Sequence, residues 1–406
     1  MGGAAFPGSP RESGLGARGP VRFSVVMPTY NRAEKLVGVL KSWSEQVPGN
    51  LAFEVIVVDD GSTDDTSGVL NSFRHARYRL RTRSQPNGGP AGARNQALGI
   101  ASGEFVLFTG DDIEPAPDLL DQHLQSHRQL EDSRCAVLGR VDWSSDLELT
   151  STMRHVDGVG AQQFSYHYMK DGTIYDYRHF YTSNVSISRG LLESEPSGFS
   201  SDFPLAAFED AEYAYRLRRH GLRIMYQASA RAWHHHPYNV ESFFRRQIAC
   251  GQMAAVLIRK WPGTRSLIGG DAVARGRRRM RFALPPRRRR LTTIAQKLDG
   301  WEERAITLAS AFDRPATPLV DPLLRGLFQY AYLKGLSSAT VRPVIARRLH
   351  ASWFLDHVCE GVRRLVDGLP AWDVNLESEV LYSLLKPFID ASILGENGNR
   401  FTVEEM

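Results

Sequence analysis

Two neighbouring carboxylates, Asp111 and Asp112, follow the stretch Gly103-Glu104-Phe105-Val106-Leu107-Phe108-Thr109-Gly110. Phe105 to Phe108 is a short continuous apolar run, the pattern of a parallel strand buried on both faces. The acids then stand at a strand's carboxyl end, where open α/β sheets bind ligands. Paired oxygens there suit a divalent cation that in turn holds a diphosphate. A polar turn after a buried strand would use the same residues.

Other clusters bear on that choice. Phe53 to Val58 is a second buried strand, ending in Asp59-Asp60-Gly61-Ser62-Thr63, and Phe23 to Met27 is another, closed by Pro28-Thr29-Tyr30-Asn31-Arg32. Asn87-Gly88-Gly89-Pro90-Ala91-Gly92-Ala93-Arg94-Asn95 leads into a helix expected over 96–101. Glycines let the backbone approach a ligand and a helix amino end favours anions, so this loop could face a phosphate. It would serve equally as a plain helix entry. Its spacing is not Gly-x-Gly-x-x-Gly, which leaves a nicotinamide or flavin dinucleotide site poorly supported. Asp59, Asp60, Asp111 and Asp112 on one sheet edge, beside that loop, point to a nucleotide carrying a metal-bound diphosphate.

Further on, Phe208-Glu209-Asp210 opens a helix whose Tyr213, Ala214 and Leu217 share a face and which stops at His220-Gly221. Amide dipoles keep a carboxylate in a first helical turn ionised, and capping alone would account for it. Arg223 to Gln227 reads as a strand, followed by Trp233-His234-His235-His236-Pro237. Three consecutive histidines cannot all point one way, and solvent-facing or core-bonded roles suit them as well as metal ligation.

The elements that must position these groups recur as strand, loop and helix. Leu36, Val39, Leu40 and Trp43 fall at helical spacing, a helix is expected over 65–73, and a more polar strand over 78–83. Such repetition implies a mainly parallel sheet with right-handed crossovers. Strands are expected over 137–143 and 182–187, and helices over 149–156 and 239–261. Phe164, Tyr166, Tyr168, Tyr175, Tyr177, Phe180 and Tyr181 form an aromatic-rich segment suited to sugar stacking or to core packing.

With 406 residues, 42% of them hydrophobic, the chain suits a large α/β domain plus a smaller one. No run approaches the ~18 apolar residues that cross a bilayer. Residues 1–20 read as a loose tail rather than a secretory signal. Cys135, Cys250 and Cys359 lie far apart, which argues against a zinc site or disulfide framework and for a reducing, cytosolic setting. The formal charge of +5 is unevenly spread, with arginines crowded between Arg275 and Arg290. That run could touch anionic lipid or nucleic acid, but is read as a solvated linker over 266–290. Beyond it, helices over 291–312, 323–336, 341–366 and 377–393 would make a small helical domain over 291–400.

Pro28-Thr29-Tyr30-Asn31-Arg32, Val57-Val58-Asp59-Asp60-Gly61-Ser62, Ala93-Arg94-Asn95 and Gly103-Glu104-Phe105 leading to Asp111-Asp112 resemble, in order and spacing, the family 2 glycosyltransferases of the GT-A fold. The likeness covers about 22–260 and implies a GT-A domain over 21–265. It also implies an inverting, metal-dependent transfer from a nucleotide diphosphate sugar, UDP-sugar foremost, with Mn2+ or Mg2+ as cofactor. By it Pro28, Thr29, Tyr30 and Asp60 hold the base and ribose, and Asp111 touches the ribose or sugar. Arg32, Asp59, Gly89, Arg94 and Asn95 join the nucleotide-sugar set. Asp112 is the carboxylate on the metal, with His234 the best match for a histidine completing the site and His236 the second. Asp210 is the general base and Glu209 its neighbour.

The chain departs from the family's Asp-x-Asp at Gly110, where the first acid usually stands. A catalytically weak or inactive nucleotide-sugar-binding module is therefore the alternative. A sugar-phosphate nucleotidyltransferase would need a Gly-rich, Arg-containing loop after the first strand, where this chain has Pro28-Thr29-Tyr30. The acceptor is left open among glycan, lipid-linked and protein hydroxyls. Peripheral contact at the inner membrane face and self-association through the helical domain are compatible partners, whereas nucleic acid is disfavoured.

Overall fold

A computed structural model of the protein describes residues 11–13, 20–46, 52–74, 77–159, 164, 166–281 and 285–368. The chain divides into two compact units, one of residues up to Leu147 together with Tyr168–His236, the other of Glu148–His167 with the residues from Pro237 onward. The second unit thus begins well before the linker read over 266–290.

Among the described residues the first unit holds one sheet of ten strands. These are β1 (Arg11–Ser13), β2 (Phe23–Thr29), β3 (Phe53–Asp59), β4 (Arg79–Ser84), β5 (Phe105–Thr109), β6 (Ile113–Pro115), β7 (Cys135–Trp143), β8 (Ile174–Tyr175), β9 (Asn184–Ser188) and β10 (Arg223–His234). Their order is β1-β4-β3-β2-β5-β9-β7-β10-β6, with β8 beside β10. β4, β3, β2 and β5 run parallel, as do β7 and β10. β9 lies antiparallel between β5 and β7. Every residue of β3 and β5 is buried, so both strands are covered on both faces, with Glu54 the one charged residue inside the apolar run of β3. β4 reads Arg-Leu-Arg-Thr-Arg-Ser and buries only Leu80, the pattern of a strand near the sheet's edge.

The expected α/β sheet flanked by helices is present, with three differences of detail. Arg11–Ser13, inside the stretch read as a loose tail, pairs antiparallel with β4. The helix placed at 96–101 begins earlier, at Gly89, because Pro90 sits where a first helical turn lacks an amide partner anyway. β10 continues through His234 instead of ending near Gln227, since a bulge at Gln227/Arg231 lets it resume pairing with β7.

Between the Leu119–Leu130 helix and β9 lies a buried polar cluster that sequence reading did not find. His123 Nε2 meets Asn184 Oδ1 at 2.9 Å, its Nδ1 meets the Ser186 hydroxyl at 2.8 Å, and His127 Nε2 meets that hydroxyl at 2.7 Å. His127 also stacks on Phe105 at 4.1 Å. Burial pushes both imidazoles down, His123 to about 4 and His127 to about 3, so both stay neutral.

The second unit is helical. Its longer described helices are Val240–Lys260, Gly270–Arg281, Pro285–Ala311, Asp321–Ser338 and Pro343–Trp353, with Glu360–Gly368 last. The stretch read as a linker over 266–290 is therefore largely helix. The helix expected over 377–393 lies outside the described residues. Asn239 caps the Val240–Lys260 helix with a reciprocal capping box through Ser242. That helix and Asp321–Ser338 touch backbone to backbone: a Cβ on Gly251 would lie 2.0 Å from the Tyr332 carbonyl, and one on Gly335 2.0 Å from that of Ile248. Residues Ser151 to His155 are tied into this unit by Asp313 and Asp321, Thr152 to the former and Arg154 and His155 to the latter. No helix among the described residues is long and apolar enough to cross a membrane.

Candidate active site

Parallel pairing puts the carboxyl ends of β2, β3, β4 and β5 along one edge of the sheet, with Thr29 paired to Asp59 and Asp59 to Ser84. β9 runs the other way and pairs Asn184 with Thr109, so Thr182, just before it, reaches the same edge. β10 delivers His234 opposite Ile113 of β6.

The acid pair sits at the centre. Thr29 donates its hydroxyl to Asp111 Oδ2 at 2.7 Å, and the Tyr30 amide also supports that carboxylate. Arg32 lies 3.8 Å from Asp111 and 3.7 Å from Asp112, while His234 Nε2 lies 3.4 Å from Asp112 Oδ2. Burial and the charge of Asp112 push Asp111 up against the pull of Thr29 and Arg32. Burial opposes ionisation of Asp112 too, yet the hydrogen bond from His234 and the positive charge of Arg32 prevail and hold it low. Asp112 is thus the first of the pair to ionise. Its backbone carbonyl accepts the His235 amide, and His235 itself turns to Glu114 at 2.5 Å. His234 stacks between Trp143 and His236, with ring centroids 5.1 and 6.1 Å away. Burial pushes His236 down to about 4, leaving a neutral imidazole.

Asp60 has a different part. Its Oδ1 accepts Gln85 Nε2 at 2.7 Å and the Gly88 amide at 2.8 Å, and its Oδ2 accepts the Gly89 amide at 2.8 Å. This buried carboxylate holds the glycine loop in place. Gly89 has a φ of 79°, and a Cβ there would stand 3.0 Å from the Pro204 carbonyl, so both conformation and space call for glycine. Asp59 braces its own turn, accepting the Ser62 amide and the Ser67 hydroxyl. Pro28 is the penultimate residue of β2, and Tyr30 leaves its ring exposed.

Asp210 lies in the first turn of the Glu209–Leu217 helix, entered through Phe208 at a φ of 65°, a conformation that costs a bulky residue free energy. Asp210 Oδ1 accepts the Ala211 amide at 2.7 Å, and the Thr182 backbone also hydrogen-bonds the carboxylate. Burial, then the charge of Glu209, raise its carboxyl to about 7 against the pull of Arg94. Arg94 meets Glu209 at 2.8 Å, both buried, and faces the Phe199 ring 5.5 Å away. Asn95 exchanges two hydrogen bonds of 2.8 Å with the backbone of Phe199.

The structure therefore gathers Thr29, Arg32, Asp111, Asp112 and His234 into one cluster and puts Asp210 beside the strand that flanks it. Asp59, Asp60, Arg94 and Asn95 also hydrogen-bond the chain around the cluster and brace its loops. Sequence reading missed Asn31, whose φ of 52° turns its side chain to the Thr63 and Asp64 amides and ties β2's loop to β3's. Asparagine's tolerance of that conformation was the available signal. Gln85 and Phe199 carried none.

Among the described residues no three His, Cys, Asp or Glu side chains converge into a cage for a metal ion. Asp112 and His234 could supply two donors. This fits a cation that takes one or two protein ligands and completes its shell with water and substrate phosphates.

Residues 24–193 match the family model described as glycosyl transferase family 2. An uncharacterized glycosyltransferase, YfnE, of Bacillus subtilis is 39% identical over 111 residues, 27% of this chain and 28% of that protein. Validoxylamine A glucosyltransferase of Streptomyces hygroscopicus subsp. jinggangensis is 31% identical over 221 residues, 49% of this chain and 52% of that one. A crystal structure of S. aureus TarS 1-349 aligns at 18% identity and a TM-score of 0.47, over 82% of this chain and 91% of that one. The chain spans from about a quarter to about half the length of the two curated relatives, at 28% and 52%. The match to glycosyl transferase family 2 thus covers residues 24–193, which include the strands that carry the acid pair and the glycine loop.

Proposed function

We propose that the protein transfers a hexose from a nucleoside diphosphate sugar, UDP-sugar foremost, to an acceptor hydroxyl on a glycan, lipid-linked or protein substrate, with inversion at the anomeric carbon. The observation that carries this reading is Asp112, a carboxylate kept ionised at the sheet's ligand edge by Arg32 and His234. The family match over residues 24–193 supports it, and the relation to a protein named for glucosyl transfer supports the hexose.

Asp112 and His234, with His236 next to them, would hold Mn2+ or Mg2+. Such an ion offsets the charge that gathers on a leaving diphosphate. Arg32 adds a fixed positive charge on the same side. Asp210 acts on the acceptor. A hydroxyl is too weak an acid to ionise at neutral pH, but its proton becomes acidic as oxygen bonds to the anomeric carbon, and the Asp210 carboxylate then takes it. A raised pKa makes Asp210 a stronger base than an ordinary aspartate, while leaving about half of it charged near pH 7. A single displacement needs no covalent enzyme intermediate, and its outcome is inversion.

The test is thermal stabilisation by UDP, GDP and their hexose derivatives with and without Mn2+, followed by product stereochemistry on the donor that binds. UDP-hexose should stabilise most and give the inverted linkage. A second reading rests on Gly110, which removes one acid from the edge: a sheet that binds nucleotide sugar without turning it over. Wild-type protein that binds UDP yet neither transfers nor hydrolyses any donor would establish it.

A further inference from the structure

The helical unit contains a cavity of about 220 Å³ that the transfer reading does not use. Its wall is aliphatic, from Ile258, Val273, Leu336 and Val341, and two arginines, Arg265 and Arg277, stand in its lining. Arg265 is loosely paired with Asp271 at 3.4 Å. One helix, Gly270–Arg281, supplies much of the site, and its sequence holds five arginines against one acid. It is seated through Gly276, where a Cβ would come within 3.0 Å of Leu349 and 3.2 Å of Trp353. That seating leaves Arg275, Arg277 and Arg278 exposed to solvent, and none of the three meets a carboxylate among the described residues. Leu267, two residues after Arg265, is 50% exposed.

An aliphatic slot with guanidinium groups in its lining, beside a run of unneutralised positive charge, matches one ligand chemistry: an anionic head joined to hydrocarbon. We propose that this face of the helical unit docks on an anionic phospholipid surface. Arg275, Arg277 and Arg278 meet the headgroups, and the cavity admits the phosphate-bearing end of one lipid, with Arg265 and Arg277 on the phosphate and Ile258, Val273, Leu336 and Val341 along its chain. A nucleic acid would satisfy the charges but leave the aliphatic slot and Leu267 without a role. A bilayer satisfies both, since arginine side chains near anionic lipid are attracted while apolar groups enter the interface. The inference stands on the helical unit alone and is independent of the transfer reading.

The experiment is co-sedimentation of the full chain with vesicles of phosphatidylglycerol and phosphatidylcholine, against phosphatidylcholine alone. Binding should require the anionic lipid and weaken with salt. Replacing Arg275, Arg277 and Arg278 together by glutamine should weaken it about a hundredfold, from roughly fivefold per charge. Replacing all three by lysine should preserve it. Ala274→Trp, which places a ring in the cavity lining, should abolish thermal stabilisation by a soluble short-chain phosphatidylglycerol without touching donor turnover. Equal binding to neutral vesicles, an unaffected glutamine variant, stabilisation by inorganic phosphate equal to that by the short-chain lipid, or retention on duplex DNA as tight as on vesicles would each overturn the proposal.

Discussion

The guanidinium of Arg94 and the carboxylate of Glu209 meet at 2.8 Å with both side chains shielded from water, joining the helix that starts in the glycine loop to the helix that carries Asp210. Removing one partner leaves the other charge buried alone. Arg94→Met should therefore cost about 3–5 kcal/mol in urea unfolding. Arg94→Met with Glu209→Gln should recover much of that loss, and a double variant as unstable as the single one would show that the two residues are not a unit.

Asp210 should govern the pH dependence of transfer. Because its carboxyl is raised to about 7, kcat/KM should climb as pH rises through that value. Asp210→Asn should lower kcat by about 10²–10⁴-fold, remove that limb and leave UDP binding in place.

The same group carries a stability cost whose sign can be stated. Its native pKa lies above that of an unfolded aspartate, so between pH 4 and 7, roughly, the folded chain binds more protons and loses stability as pH rises. Asp210→Asn should thus melt higher than wild type at pH 8 and show little gain at pH 4. A variant melting lower at pH 8 would contradict the raised pKa.

Asp112→Asn should weaken Mn2+ binding by at least the roughly tenfold that loss of even an outer partner of a metal ligand costs. Mn2+ titration in the presence of UDP, followed by thermal shift, reads this directly. His234→Ala should act in the same direction, and an unchanged titration for both would remove them from the proposed metal set.

Restoring the missing acid should not help. A Cβ at position 110 would lie 2.8 Å from Asp112 Oδ1, and a second carboxylate there would repel the charge that Arg32 and His234 sustain. Gly110→Asp should lower both the melting temperature and kcat/KM. A gain in kcat/KM with Mn2+ would show that the loop can make room.

The strands and their ligand edge were legible because each chemical residue follows a buried apolar run: Asp59 and Asp60 after Val55-Ile56-Val57-Val58, Asp111 and Asp112 after Phe105 to Phe108. The Val240–Lys260 helix was placed to within a residue by Asn239 and Trp261 at its ends. What sequence did not disclose was where a polar side chain turns. Asp60, expected at the base, holds Gly88 and Gly89, and Arg94, expected at the nucleotide, holds Glu209, 115 residues away. Such pairings depend on tertiary approach, which periodicity does not encode. The antiparallel course of β9 and the histidines beneath it were hidden for the same reason.

Those histidines give the sheet an acid limit. Burial opposes a charge on His123 and His127, whereas an unfolded chain protonates both near pH 6.5. As pH falls from there toward about 4, every step favours the unfolded chain. The fold should fail in mild acid by losing its grip where β5, β9 and the Leu119–Leu130 helix meet, so the strand that supports Asp111 and Asp112 would be among the first to let go.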